Sequence, residues 1–150
     1  MKNILITGIN GTIGKVLKEG LSSKYNIYGI DISKPFDKYT KKCDISNINN
    51  LKKVINSFKD IDVIIHLAGD PRVNAPWESI LKNNIIGTRN TYECAKELNI
   101  KKVVFASSNH ATGLYERNIS EVGIININTP INPDSDYGVS KIFGEALAKK

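Results

Sequence analysis

Short apolar runs alternate with stretches in which apolar positions recur every three or four residues, and the alternation begins at the N-terminus. Residues 3–7 (Asn-Ile-Leu-Ile-Thr) are brief and β-branched, which predicts a strand. A glycine-rich turn over 8–14 follows, and Ile13, Val16, Leu17 and Leu21 then recur at helical spacing. Residues 26–30 predict a second strand ending at Asp31. Residues 33–38, polar and containing Pro35, predict a loop. A short third strand is expected to end near Cys43. Ser46 is the expected cap of a helix carrying Ile48, Leu51, Val54, Ile55 and Phe58. Residues 63–67 predict a fourth strand, 77–98 a long helix and 102–106 a fifth strand. Turn formers without a clear period fill 109–133, and a last helix is expected from Asp136 to the end of the chain.

Strict alternation of strand and helix implies an α/β fold, with a parallel sheet covered on both faces. The strands are almost wholly apolar, as burial on both faces requires. The expected architecture is a Rossmann-type doubly wound sheet of about five strands. A chain of 150 residues suffices for one domain with a sizeable core, and no linker, repeat or low-complexity segment divides it.

The net charge of +6 raises the question of nucleic-acid binding. The excess comes from lysines scattered as short pairs (Lys41-Lys42, Lys52-Lys53, Lys101-Lys102) without interleaved aromatics. A solvated lysine-rich surface is the expectation, with no nucleic-acid partner. No apolar run is long enough for a membrane span, and the N-terminal run is too short for a signal-peptide core. A cytoplasmic location is therefore expected. Cys43 and Cys94 are too few and too far apart for a disulfide framework or a metal site, so both read as buried, inert thiols and no metal is expected.

Four groups of residues could carry chemistry. In Thr7-Gly8-Ile9-Asn10-Gly11-Thr12-Ile13-Gly14 the glycines permit a tight turn, close approach of a pyrophosphate and close helix packing. Backbone N–H groups at the following helix N-terminus can face phosphates. Asp31, at the end of the second strand, can accept hydrogen bonds from ribose hydroxyls and repel a 2′-phosphate, which favours NAD over NADP. Tyr137 and Lys141 are one helical turn apart on the same face. A free phenol is a weak base at neutral pH, and a nearby ammonium favours its phenolate, so Tyr137 is a candidate general acid/base. Finally, Ser107-Ser108-Asn109-His110 leaves the C-terminal end of the fifth strand, where parallel α/β sheets bind ligands. One serine is expected to serve only as a strand-end cap, and His110 reads equally as a ligand contact or an exposed loop histidine.

Together these pieces resemble the extended short-chain dehydrogenases, the group of NAD-dependent sugar epimerases, dehydratases and dehydrogenases. The glycine turn matches T-G-x-x-G-x-x-G. Cys43-Asp44-Ile45 matches a position whose aspartate contacts adenine, and His66-Leu67-Ala68-Gly69 matches an H-x-A-G strand end beside the cofactor. Asn84-Ile85-Ile86-Gly87-Thr88 matches N-x-x-G-T, and Tyr137-Gly138-Val139-Ser140-Lys141 matches the catalytic helix. The resemblance implies NAD as cofactor and a triad of Ser108, Tyr137 and Lys141. It implies cofactor contacts from Gly8, Asn10, Gly11, Thr12, Ile13, Gly14, Asp31, Ile32, Asp44, Ile45, Leu67, Ala68, Gly69, Asn84, Tyr137 and Lys141. Asn84 is expected to support the site more than to do chemistry.

Within the group, Ala106-Ser107-Ser108-Asn109-His110 and the run from Pro76 to Gly87 resemble the uronate dehydrogenase branch, and Thr112 stands where epimerases carry a tyrosine. That resemblance implies a sugar or sugar-acid substrate met by Ser108, Asn109 and His110. Arg72 is a candidate for an anionic group or a plain surface arginine. It also implies a further C-terminal substrate-binding part beyond residue 150, and a homodimer through the long and terminal helices. The alternatives are a sugar-nucleotide 4-epimerase or dehydratase, which binds a nucleotide diphosphate, and a non-catalytic dinucleotide-binding fragment.

Overall fold

The computed structural model describes residues 1–35, 37–58, 60–117 and 125–149. Strands β1 (Asn3–Thr7), β2 (Asn26–Asp31), β3 (Thr40–Lys42), β4 (Val63–His66) and β5 (Lys102–Phe105) pair in parallel in the order β3-β2-β1-β4-β5. The order reverses between β1 and β4, so their C-terminal ends open a crevice where this architecture binds ligands. Helix α1 (Thr12–Leu21) joins β1 to β2, and α2 (Ile48–Asn56) joins β3 to β4. A single helical path joins β4 to β5: α3 (Trp77–Ser79), a π-helical stretch (Ile80–Ile86) and α4 (Gly87–Glu97). After β5 come a 3-10 turn (Asn109–Thr112), α5 (Leu114–Arg117) and α6 (Asp136–Ala148).

Successive strand residues point to opposite faces, and both faces are apolar because both pack. Leu5, Ile30 and Ile64 meet Leu51 and Ile55 of α2 and Cys94 of α4. Ile4, Ile6 and Ile27 meet Ile9 and the helix residues Leu17 and Leu21. Val104, on the edge strand β5, stays 49% exposed, beyond the reach of α1. Burial raises the thiols of Cys43 and Cys94 to about 11, which suits the inert role expected of them.

Two local expectations are corrected. Ser46 does not cap α2: Asn47 does, its side chain accepting the Asn50 N–H at 3.0 Å, while the Ser46 hydroxyl donates to Asp44 Oδ1 at 2.7 Å. The helix over 77–98 forms, but with a π-helical middle that aims Asn83 and Asn84 away from a regular α-helical phase. Of α1's apolar positions, Ile13 and Val16 are exposed and only Leu17 and Leu21 reach the core. Part of the aperiodic 109–133 segment is helical, and its residues 118–124 lie outside the described residues. Among the described residues no helix is long and apolar enough to cross a membrane.

Candidate active site

The crevice is a cleft of about 660 Å³ at the C-terminal ends of β1, β2 and β4. The turn after β1 forms one wall, contributing Gly8, Asn10, Gly11, Thr12, Ile13 and Gly14. Gly8 has φ +73°, and a Cβ there would meet the Ala68 backbone nitrogen at 2.9 Å, so only glycine fits. Gly11 caps α1 with no side-chain hydrogen bond, and no acidic residue occupies the first turn. The N-terminal N–H groups of a ten-residue helix are thus left to an anion.

The β2 end contributes Asp31, Ile32 and Ser33. Asp31 Oδ2 accepts the Asn10 N–H at 3.0 Å, while Oδ1 accepts the Ser33 N–H at 3.0 Å and its hydroxyl at 2.8 Å. Three of a carboxylate's four acceptor positions are used, and one remains. Asn10 Oδ1 is buried and without a partner, a polar atom waiting at the cleft wall. Ser33, absent from the sequence expectation, orients Asp31; its place two residues after the strand-end aspartate was the available signal.

Opposite, Asp44, Ile45, Leu67, Ala68 and Gly69 line the cleft. Burial alone would raise the Asp44 carboxyl, but hydrogen bonds from Ser46 and Lys82 hold it below its ordinary value. Lys82 reaches Asp44 Oδ2 at 2.9 Å, across from the π-helical stretch.

Asn84 does not line the cleft. Its Oδ1 accepts the Asp70 N–H at 2.7 Å, and its Nδ2 donates to the Asp70 carbonyl at 3.0 Å and to Ser140 Oγ at 3.2 Å. One buried amide thereby ties the loop after β4 to α6. Arg72, a substrate candidate by sequence, forks onto the Asp70 carboxylate through Nε (3.0 Å) and Nη2 (2.6 Å). That fork, with the Ser79 hydroxyl at 2.6 Å, holds Asp70 well below the usual carboxylate range.

The catalytic candidates gather beyond this loop. Tyr137 and Lys141 stand one turn apart on α6, and Lys141 Nζ lies 5.4 Å from the Tyr137 ring centroid. Lys141 also donates to the Ala106 carbonyl at 2.9 Å and sits over Phe105, and burial lowers its pKa. Gly144 lets α6 close onto β5: a Cβ there would lie 2.2 Å from the Phe105 ring. The Ser108 side chain caps the 3-10 turn, accepting the His110 N–H at 3.2 Å, whereas Ser107 donates to Glu145 of α6. The Asn109 amide donates to Glu116 at 3.0 Å, and Thr112 donates to the Asn109 carbonyl at 3.1 Å. His110 meets the Tyr137 ring edge-on at 5.7 Å and pairs through Nδ1 with Asp134 at 2.8 Å. Asp134 was missed in the sequence, where it lay just after the aperiodic segment with no periodicity to mark it.

Residues 4–150 match the NAD dependent epimerase/dehydratase family. The chain belongs to that family. It is 34% identical to the L-arabinose 1-dehydrogenase (NAD(P)(+)) of Haloferax volcanii, over 98% of this chain and 60% of that protein. It superposes on a solved mutated uronate dehydrogenase with a TM-score of 0.86, at 38% identity, covering 98% of this chain and 52% of that one. It superposes on a point mutant of the Agrobacterium tumefaciens uronate dehydrogenase complexed with NAD, with a TM-score of 0.80 at 34% identity, covering 99% of this chain and 55% of that one. The chain spans between about half and three-fifths of the length of the curated relatives it matches first. NAD is the family's cofactor, and the uncapped helix N-terminus, the glycine cradle and the unpartnered Asn10 oxygen fit it.

Proposed function

We propose that this chain is the cofactor-binding part of an NAD-dependent dehydrogenase that oxidises a hydroxyl carbon of a sugar or sugar acid. The observation that carries the reading is the Asn84 bracket. It links the cleft wall at Asp70 to Ser140 on α6, the helix bearing Tyr137 and Lys141, so the cleft and that helix are tied together through one buried amide. NAD, when bound in the cleft, would supply the hydride acceptor. Tyr137 takes the proton from the substrate hydroxyl as the carbon on that hydroxyl gives up its hydride, leaving a carbonyl. Lys141 stands beside the phenol ring, anchored on the Ala106 carbonyl. Ser108 orients the reacting oxygen, and Asn109 and His110 meet the sugar. The uronate dehydrogenase relatives and the Ser108-Asn109-His110 segment favour a sugar acid over a nucleotide sugar.

The test is calorimetric titration of the purified protein with NAD and NADP, followed by glucuronate or galacturonate while NADH absorbance is recorded. NAD binding by this chain is the expected result, with NADH formation, lost in Tyr137→Phe, once the substrate-binding part is present. Epimerised product without net NADH would assign the site to a sugar-nucleotide epimerase. Turnover that survives Tyr137→Phe would remove Tyr137 from the chemistry.

A further inference from the structure

The chain contains two histidines, and in the neutral ring the hydrogen bonds around each fix which nitrogen carries the proton. At His110 the partner is a carboxylate, which only accepts, so Nδ1 must donate to Asp134 (2.8 Å to Oδ2, 3.0 Å to Oδ1). Nε2 is left without a hydrogen-bond partner among the described residues. The same carboxylate receives the Ser135 hydroxyl at 2.8 Å, and Ser135 in turn accepts the Gly138 N–H at 3.1 Å as the cap of α6. Asp134 is thus the junction between the histidine and the helix end that carries Tyr137. Two glycines make room for it. A Cβ on Gly113 would lie 2.4 Å from Asp134 Oδ2, and one on Gly138 would lie 2.2 Å from the His110 carbonyl oxygen. Backbone bonds from Asn132 to Ala111 and from Leu114 to Asn132, both 3.0 Å, hold the two segments together.

We propose that Asp134 is a positioning residue: by accepting the Nδ1 proton of His110 it sets the ring edge-on to Tyr137 and leaves Nε2 as the acceptor for a hydroxyl of the substrate. The proposal deepens the dehydrogenase reading and rests on it for the substrate class. A carboxylate behind a functional imidazole commonly fixes its tautomer and orientation in this way. Without it the ring is free to rotate about χ2 and to offer either nitrogen, and the pocket beside the phenol loses its shape.

The test begins on the 150-residue chain, labelled with ¹⁵N, by long-range ¹H–¹⁵N correlation above the end of the imidazole titrations. With two histidines the spectrum holds two ring systems, assigned with His110→Asn. The expected result is protonated Nδ1 and lone-pair Nε2 at His110, and the opposite arrangement at His66. Asp134→Ala should return His110 to the Nε2–H form usual for an unconstrained ring. Asp134→Asn, which keeps an accepting oxygen, should restore Nδ1–H. An Nε2–H signature at His110 in the unmutated chain, or no change in Asp134→Ala, overturns the proposal. If the alanine variant does not fold, the unmutated spectrum alone decides. The kinetic arm uses the active full-length enzyme: Asp134→Ala should raise KM for the sugar about tenfold, with a smaller effect on kcat and none on the Kd for NAD, and Asp134→Asn should recover most of it. Unchanged KM overturns the positioning role. A correct tautomer with no sugar turnover in the unmutated enzyme instead removes the dehydrogenase reading and leaves the Asp134–His110 geometry standing.

Discussion

Thr7 and His66 sit side by side on β1 and β4, joined by a 2.7 Å bond from Thr7 Oγ1 to His66 Nδ1. The direction of that bond follows from the rest of the network. Thr7 Oγ1 already accepts the N–H groups of Leu67 and Ala68, both at 3.2 Å, so its own proton goes to the ring. Nε2 therefore carries the proton and donates to Thr88 Oγ1 at 3.1 Å. One hydroxyl and one imidazole thus join β1, the strand-end wall of the cleft and the start of α4.

Thr7→Val keeps the shape and deletes the hydroxyl. It leaves the buried His66 Nδ1 lone pair and the part-buried Ala68 N–H without partners, so a loss of about 2 kcal/mol of unfolding free energy is expected. Urea denaturation at neutral pH measures it. A midpoint within error of the parent would mean that water replaces the hydroxyl and the network is not a clamp.

His66 is 1% exposed, and burial first, with the nearby Lys141 charge second, lowers its pKa from 6.5 to about 3. The folded value lies below the unfolded one, so between about 6.5 and 3 the unfolded chain binds a proton that the folded chain does not. Stability from this group is complete above the unfolded value and declines as pH falls through that window, by about 1.4 kcal/mol per pH unit at the limiting slope. Unfolding free energies of the parent and His66→Gln across that range separate this slope from the carboxylates, which titrate equally in both. Parallel curves would show that the folded ring titrates normally.

The strands, their parallel arrangement and the cleft wall from Gly8 to Gly14 were legible in the sequence, because local signals coincide there: β-branched runs, a glycine turn and a helix phase. What was not legible depends on partners distant in the chain. Ser46 and Asn47 are both good caps, and Asp44 decides between them by taking the Ser46 hydroxyl. Asn84 was recognisable as a site residue, but its partners Asp70 and Ser140 are set by a π-helical stretch that no periodicity announces. Arg72 looked available to an anion, yet a carboxylate two residues away occupies its fork. Asp134 gains meaning only when the loop before α6 folds back on the turn after β5.

On the proposed reading, the acceptor position left on Asp31 takes a ribose hydroxyl and its carboxylate disfavours a 2′-phosphate. Asp31→Asn removes the charge and weakens the acceptor, so NAD affinity should fall about tenfold. NADP affinity should fall less or rise, and the ratio of the two dissociation constants should move toward NADP. Calorimetry with both dinucleotides reads this without turnover. An unchanged ratio would mean that discrimination lies elsewhere, with Ser33 and Asn10 the next residues to vary.

Two glycines of α1 give opposite expectations from one substitution. Gly20 has nothing within 4 Å of its missing Cβ, so Gly20→Ala meets only solvent and gains the helix preference of alanine. A stabilisation of about 0.5–1 kcal/mol follows. Gly14 is different: its Cβ would lie 2.5 Å from the Gly8 carbonyl oxygen and 2.6 Å from that of Ile9. Both atoms are backbone, in the turn that also forms the cleft wall, so neither can yield without moving the cofactor cradle. Gly14→Ala must therefore push α1 away from the turn, destabilising the fold and weakening NAD binding together, despite the same gain in helix preference. Thermal melts rank Gly20→Ala above the parent and Gly14→Ala below it, and only Gly14→Ala should raise the Kd for NAD. If Gly14→Ala binds NAD as the parent does, the phosphates are not held by this turn and the cofactor lies differently in the cleft.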